Sequence, residues 1–156
     1  MKRGLYGLTV PLYLLDQLTK WAVLATVPEG HEIHVIPGFF NIVRVYNTGA
    51  AFGMFQRASV FFAVLSAVAF FILVWLMRKG AFQDKPSRAG AALLLAGIAG
   101  NLTDRLWHGH VVDFLDFILP LYGHWPAFNV ADSCICIAAA LFFIAAFRSG
   151  KPARRA

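Results

Sequence analysis

From Ala58 to Met77 the chain runs for twenty residues without a charged side chain, bounded by Arg57 and Arg78. As an α-helix at 1.5 Å per residue, this run is about 30 Å long, the thickness of a bilayer's hydrocarbon core. Composition points to the same solvent. Of the 156 residues, 59 % are hydrophobic and 14 % charged, whereas soluble domains carry about 25 % charged residues. The length accommodates one domain.

Three further segments, 4–25, 89–107 and 126–147, are long enough to cross, and each carries ionisable or amide groups toward one end. With 58–77 they predict a mainly α membrane protein, a bundle of four transmembrane helices forming a single integral membrane domain. Lys2 and Arg3 ahead of an apolar run fit a cleaved leader, but Asp16 and Lys20 interrupt the run and no A-x-A site follows. A retained first helix is therefore expected.

Ten of the fourteen Lys and Arg fall in three places: Lys2 and Arg3; Arg78, Lys79, Lys85 and Arg88; and Arg148, Lys151, Arg154 and Arg155. Four spans put all three on one side, and the positive-inside rule makes that side cytoplasmic, both termini included. Seven of the eight acids lie toward the other face, Asp84 being the exception. The net charge of +6 is thus a topology signal. Basic residues that flank spans do not make a nucleic-acid patch. Trp21, Trp107 and Trp125 are expected at the outer interface and Trp75 at the inner one. The last residues, 148–156, read as a basic cytoplasmic tail.

Residues 28–56 are expected to form a small β-sheet outside the membrane, between the first two helices. "FFNIVRVYN" has strand composition and Pro37-Gly38 is a turn signal. "TGAAFG" (48–53) offers small residues where a backbone can pass close to a ligand. The other outer segment, 108–126, reads as a short loop carrying Asp113 and Asp116. Cys134 and Cys136 are two apart on one helix, face different directions and read as small apolar residues.

Polar residues inside the spans recur at helical spacing: Gly97, Asn101, Asp104, Arg105 and His108 on the third, Asn129, Asp132, Ser133 and Cys136 on the fourth. They are expected to point inward, toward water at the outer mouth. Most have structural readings. Asp16 and Lys20, four apart, suit an ion pair. Asp104 and Arg105 suit another, or a link to a loop. Buried Asn is often inter-helix glue. His31, His34 and His124 read as incidental, and Asp116 as solvated. Asp132 differs. It lies one turn inside its span, with fifteen uncharged residues after it and no basic residue within four positions. An intramembrane acid is a functional-site candidate.

Two carboxyls brought close share one proton. Such a pair can deprotonate a water and hydrogen-bond a peptide carbonyl, the logic of aspartic proteases. It needs no cofactor and no metal. Asp104, Asp113 and Asp116 are all candidates for the second acid. Two rivals stand beside this reading. One is a small four-helix transporter or proton channel using buried acids. The other is a metal site of His108, His110, Asp113 and Asp132, whose spacing is not diagnostic.

Five blocks in order, "DQLTK" (16–20), "NTGAAFG" (47–53), "GNLTDRL" (100–106), "VVDFLDF" (111–117) and "FNVADS" (128–133), make the chain resemble the lipoprotein signal peptidases, the type II signal peptidases of bacteria. The resemblance covers nearly the whole chain. It implies an intramembrane aspartic protease with Asp113 and Asp132 as catalytic dyad. It further implies that Asn47, Gly49, Asn101, Arg105 and Asn129 line a substrate groove, with Asp16 and Lys20 at its edge and Asp104 in support. The implied substrate is a prolipoprotein diacylglyceryl-modified on the Cys after its signal peptide, cut just before that Cys. The implied setting is the bacterial inner membrane, with the site near the outer leaflet, membrane lipid around a monomer, and a globomycin-type cyclic peptide as inhibitor.

Overall fold

A computed structural model describes residues 3–49 and 58–149. Four helices, α1 (Arg3–Thr26), α2 (Ser59–Arg78), α3 (Lys85–His108) and α4 (Val130–Ser149), carry a small antiparallel sheet at one end. Two of them, α2 and α4, are long and apolar enough to cross a membrane by themselves. On α2 only Leu73 is fully buried, with Phe70 and Val74 packed beside it, while Val60, Phe61, Val64, Val68 and Phe71 are exposed. Trp21, Trp75, Trp107 and Trp125 are all exposed.

The central helix is α3, which packs against the other three. Its buried face is built from small residues: Gly90, Ala91, Ala92, Ala96, Gly97 and Gly100. They let neighbouring backbones approach closely. A Cβ at Gly97 would lie 2.5 Å from the Ala131 carbonyl oxygen and 2.6 Å from Ile135 Cγ1. Both ends of α3 are written in the sequence. Asp84 Oδ1 accepts from the Ser87 amide at 2.9 Å, and Gly109 closes the C-terminus with φ 77°, the left-handed residue that frees a helix end.

The sheet has the order β1 (Glu32–Ile36), β2 (Phe40–Asn47), β3 (Val111–Leu119), β4 (Gly123–His124). The Pro37-Gly38 turn joins β1 to β2, with Gly38 at φ 73°. The expectation that the sheet lies between the first two helices needs correction. Half of its strands come from the connection between α3 and α4, read above as a short loop. A two-stranded hairpin is marginal alone, and "VVDFLDFIL" supplies the third strand, pairing Asn41 with Asp116 and Val45 with Asp113. Ala50 to Gly53 of "TGAAFG", and residues 150–156 of the basic tail, lie outside the described residues.

Two links fix the sheet against the bundle. Leu115 pairs with Phe128 just before α4, each amide donating to the other's carbonyl at 2.8 and 3.1 Å. Arg44 of β2 reaches the Leu24 and Val27 carbonyls at the end of α1, at 3.5 and 3.3 Å, as a cation suits a helix C-terminus. Val23, Val27 and Phe114 form an apolar cluster at this junction.

Candidate active site

Where β3 meets the start of α4, the polar residues of five elements converge. Asn129 and Asp132 form a reciprocal cap on α4. The Asp132 amide donates to Asn129 Oδ1 at 2.9 Å, and the Asn129 amide donates to Asp132 Oδ2 at 3.2 Å. This is a capping box with Asn and Asp in place of the commoner Ser and Glu. It answers why an acid sits one turn inside an apolar span: the third helical position holds unsatisfied amides and the positive end of the helix dipole. The neighbouring Ala131 amide donates to Asp16 Oδ1 at 2.8 Å.

Asp113 comes to the same place from β3. Its Oδ1 accepts from Asn129 Nδ2 at 2.7 Å and its Oδ2 from Asn47 Nδ2 at 3.0 Å. Asp132 Oδ1 accepts from Asn101 Nδ2 at 2.7 Å. Each carboxyl is therefore oriented by two N–H donors, and Asn129 serves both. Asp113 is buried, whereas Asp132 is partly open. Burial pushes the Asp113 carboxyl up to about 7, and the Asp132 charge pushes the same way; the Asn47 and Asn129 bonds and Lys20 oppose it. A carboxyl raised toward neutrality beside a second acid is the condition under which two acids can share one proton.

Behind Asn101 lies a buried charge cluster. Lys20 Nζ meets Asp16 Oδ2 at 2.9 Å and Asp104 Oδ2 at 2.8 Å, and donates to Asn101 Oδ1 at 3.0 Å. Gln17 Nε2 donates to Asp16 Oδ2 and Asp104 Oδ1, both at 3.1 Å. The Asp16–Lys20 pair is as expected. Asp104 pairs with Lys20 rather than with Arg105, and also accepts from the Val112 amide at 3.2 Å, which anchors β3 beside Asp113. Asp16 and Lys20 are 1 and 2 % exposed. Their charges are paired with each other at 2.9 Å.

Arg105 faces the other way. It donates to the Gly49 carbonyl at 3.2 Å and the Asn101 carbonyl at 3.4 Å, and lies over the Phe62 ring at 5.6 Å. Its Nε is buried without a hydrogen bond among the described residues. Gly49 in turn donates to Asn47 Oδ1 at 3.0 Å. The set His108, His110, Asp113 and Asp132 is not assembled: among the described residues no three His, Cys, Asp or Glu side chains are grouped to hold a metal ion. His110 instead packs on Tyr46, ring centroids 4.1 Å apart.

Residues 8–148 match the family described as signal peptidase (SPase) II. The chain belongs to the signal peptidase II family. It is 51 % identical to the lipoprotein signal peptidase of Ralstonia nicotianae over 88 % of this chain and 80 % of that one. It is 42 % identical to that of Nitratidesulfovibrio vulgaris over 97 % and 94 %. A bacterial membrane enzyme solved by the in meso method at 2.3 Å resolution superposes with a TM-score of 0.85 and 34 % identity, covering 96 % of this chain and 92 % of the other.

In this signal peptidase II, "DQLTK" on α1, "GNLTDRL" on α3, "VVDFLDF" on β3 and "FNVADS" at the start of α4 meet at one junction, joined by Asn47 at the end of β2. Two features escaped the reading of residues alone. Gln17 is masked by its charged neighbours, although it stands three from Lys20 on the same helix. Asp116 is 4 % exposed rather than solvated. It accepts from Asn41 Nδ2 at 2.9 Å and bonds His124 Nδ1 at 2.8 Å. On a strand, positions three apart face opposite ways, so Asp116 points away from Asp113.

Proposed function

We propose that this signal peptidase II removes the signal peptide from diacylglyceryl-modified prolipoproteins, cutting before the lipid-bearing Cys, with Asp113 and Asp132 as the catalytic pair. The observation that carries the reading is the convergence of both carboxyls on Asn129. The ionised member takes a proton from a water, and the hydroxide attacks the carbonyl before the Cys. The protonated member donates a hydrogen bond to the carbonyl oxygen as its charge develops. The pair then returns a proton to the leaving amine. Asn47, Gly49, Asn101, Arg105 and Asn129 hold the peptide, with the Arg105 guanidinium toward its backbone carbonyls. No metal or cofactor enters these steps.

In this proposal all four helices span the bacterial inner membrane, the termini are cytoplasmic, and a monomer works at the outer leaflet. The substrate's signal helix and acyl tails already lie in that leaflet, so binding needs little reorganisation. A transporter would need a polar path through the membrane, and residues 134–147 contain no charged or amide side chain. The test is cleavage of a lipid-modified prolipoprotein in detergent by wild type, Asp113→Asn and Asp132→Asn, with globomycin as a second probe. Both variants should stay folded and lose turnover. Cleavage near the wild-type rate by either refutes the dyad.

A further inference from the structure

A cleft of about 490 Å³ opens between α1 and α3, with neither Asp113 nor Asp132 in its lining. Leu14, Leu18, Trp21 and Leu24 line it from α1, and Thr103 and Trp107 from α3. Its volume falls in the range of small-molecule sites, about 300–1,000 Å³. Its lips are among the most exposed apolar residues on these two helices: Leu18 62 %, Trp21 70 % and Trp107 82 %. Its floor is the Gln17, Lys20 and Asp104 cluster, whose polar atoms bond each other and leave side-chain stems toward the cleft.

The geometry points to a binding site for an acyl chain of an outer-leaflet phospholipid, resting on the membrane orientation proposed above. Leu14 and Leu24 are ten residues apart, about 15 Å of helix. That is the depth of one leaflet in a core about 30 Å thick. The two indoles stand at its outer end, where the interface places Trp. The apolar lips continue directly into the surface of α1 that faces lipid, so a chain enters sideways without crossing a polar barrier. The substrate's own tails are the wrong source. Thr103 and Trp107 lie on the side of α3 turned away from Asn101 and Arg105, and the Lys20–Asp104 pair closes the way between. A bound chain would keep water from that pair.

The test uses phosphatidylglycerol with deuterated acyl chains, detected by native mass spectrometry on the full chain in mild detergent, for wild type and the Leu14→Trp/Leu18→Trp double variant. The added rings fill the cleft from its exposed lip, and the thermal midpoint checks the fold. Wild type should retain one labelled lipid and the double variant about tenfold less, as a steric block predicts, with KM for the lipid-modified substrate unchanged. Equal retention in both proteins, or none in wild type, overturns the site. Unchanged retention with a raised KM assigns the cleft to the substrate's tails and overturns the phospholipid. Wild type that binds lipid but cleaves nothing refutes the peptidase reading and leaves the cleft intact.

Discussion

The Asn129 side-chain amide donates to Asp113 at 2.7 Å while the same residue caps the helix that carries Asp132. One asparagine thereby fixes the relation between two acids nineteen residues apart in the chain. Asn129→Ala removes both functions. Loss of the cap costs about 1 kcal/mol, seen as a lowered thermal midpoint in detergent. The larger effect is on turnover, expected to fall roughly 100-fold as the carboxyls lose alignment. Asn129→Ser, which restores a capping oxygen but no amide to Asp113, should recover the midpoint and not the rate.

With the proposed dyad, the raised Asp113 carboxyl should set the alkaline limit of activity. Above a pH of about 7 the proposed pair would lose its shared proton, and with it the donor to the carbonyl oxygen. The rate should fall with an apparent pKa belonging to the pair. Stability follows the same group. A carboxyl whose folded pKa lies above its unfolded value of 3.8 binds its proton more tightly in the native state. Stability is therefore greatest below 3.8 and declines as pH rises through 7. Asp113→Asn should be more stable than wild type at pH 8 and lose that advantage near pH 4, as thermal midpoints at the two pH values would report.

Asp132 was legible in sequence because nothing charged surrounds it within its span, so its cost in lipid stood out. Its partner was not. In the sequence Asp104, Asp113 and Asp116 are three like residues at comparable distance from Asp132's end of the spans. What separates them is backbone pairing: Leu115 with Phe128 brings β3 to α4, and strand alternation turns Asp116 away. Such pairing leaves no mark in the residues themselves, and only the five ordered blocks singled out Asp113. The sheet was half legible for the same reason. "FFNIVRVYN" announced a strand by composition, whereas the acids in "VVDFLDFIL" disguised one. The apolar α2 and α4 needed no tertiary information at all.

Lys20 bridges Asp16 and Asp104 with all three side chains almost fully buried. Lys20→Met leaves two carboxylates without a cation, and breaking a buried pair from one side costs about 3–5 kcal/mol. The variant should express poorly or melt far below wild type. Adding Asp104→Asn removes one of the stranded charges and should recover part of the loss. A double-mutant cycle on thermal or denaturant midpoints would measure the coupling. Equal midpoints for wild type and Lys20→Met would show that the cluster does not hold the helices.

Gly97 and Gly7 make opposite predictions for the same substitution. A Cβ at Gly97 meets the Ala131 carbonyl, a backbone atom that cannot rotate aside, while one at Gly7 meets nothing within 4 Å. Gly7→Ala should be neutral or slightly stabilising, since Ala favours helix. Gly97→Ala must push α4 away from α3, with an overpacking cost of about 1–3 kcal/mol. The displacement acts one turn below Asn101, whose amide reaches Asp132 at 2.7 Å. Turnover should therefore fall further than stability alone explains, with kcat reduced at temperatures where the variant is fully folded. Asp132 would retain its cap from Asn129 but lose its donor from α3, so a variant with full kcat and a lowered midpoint would show that the Asn101 bond is dispensable for cleavage.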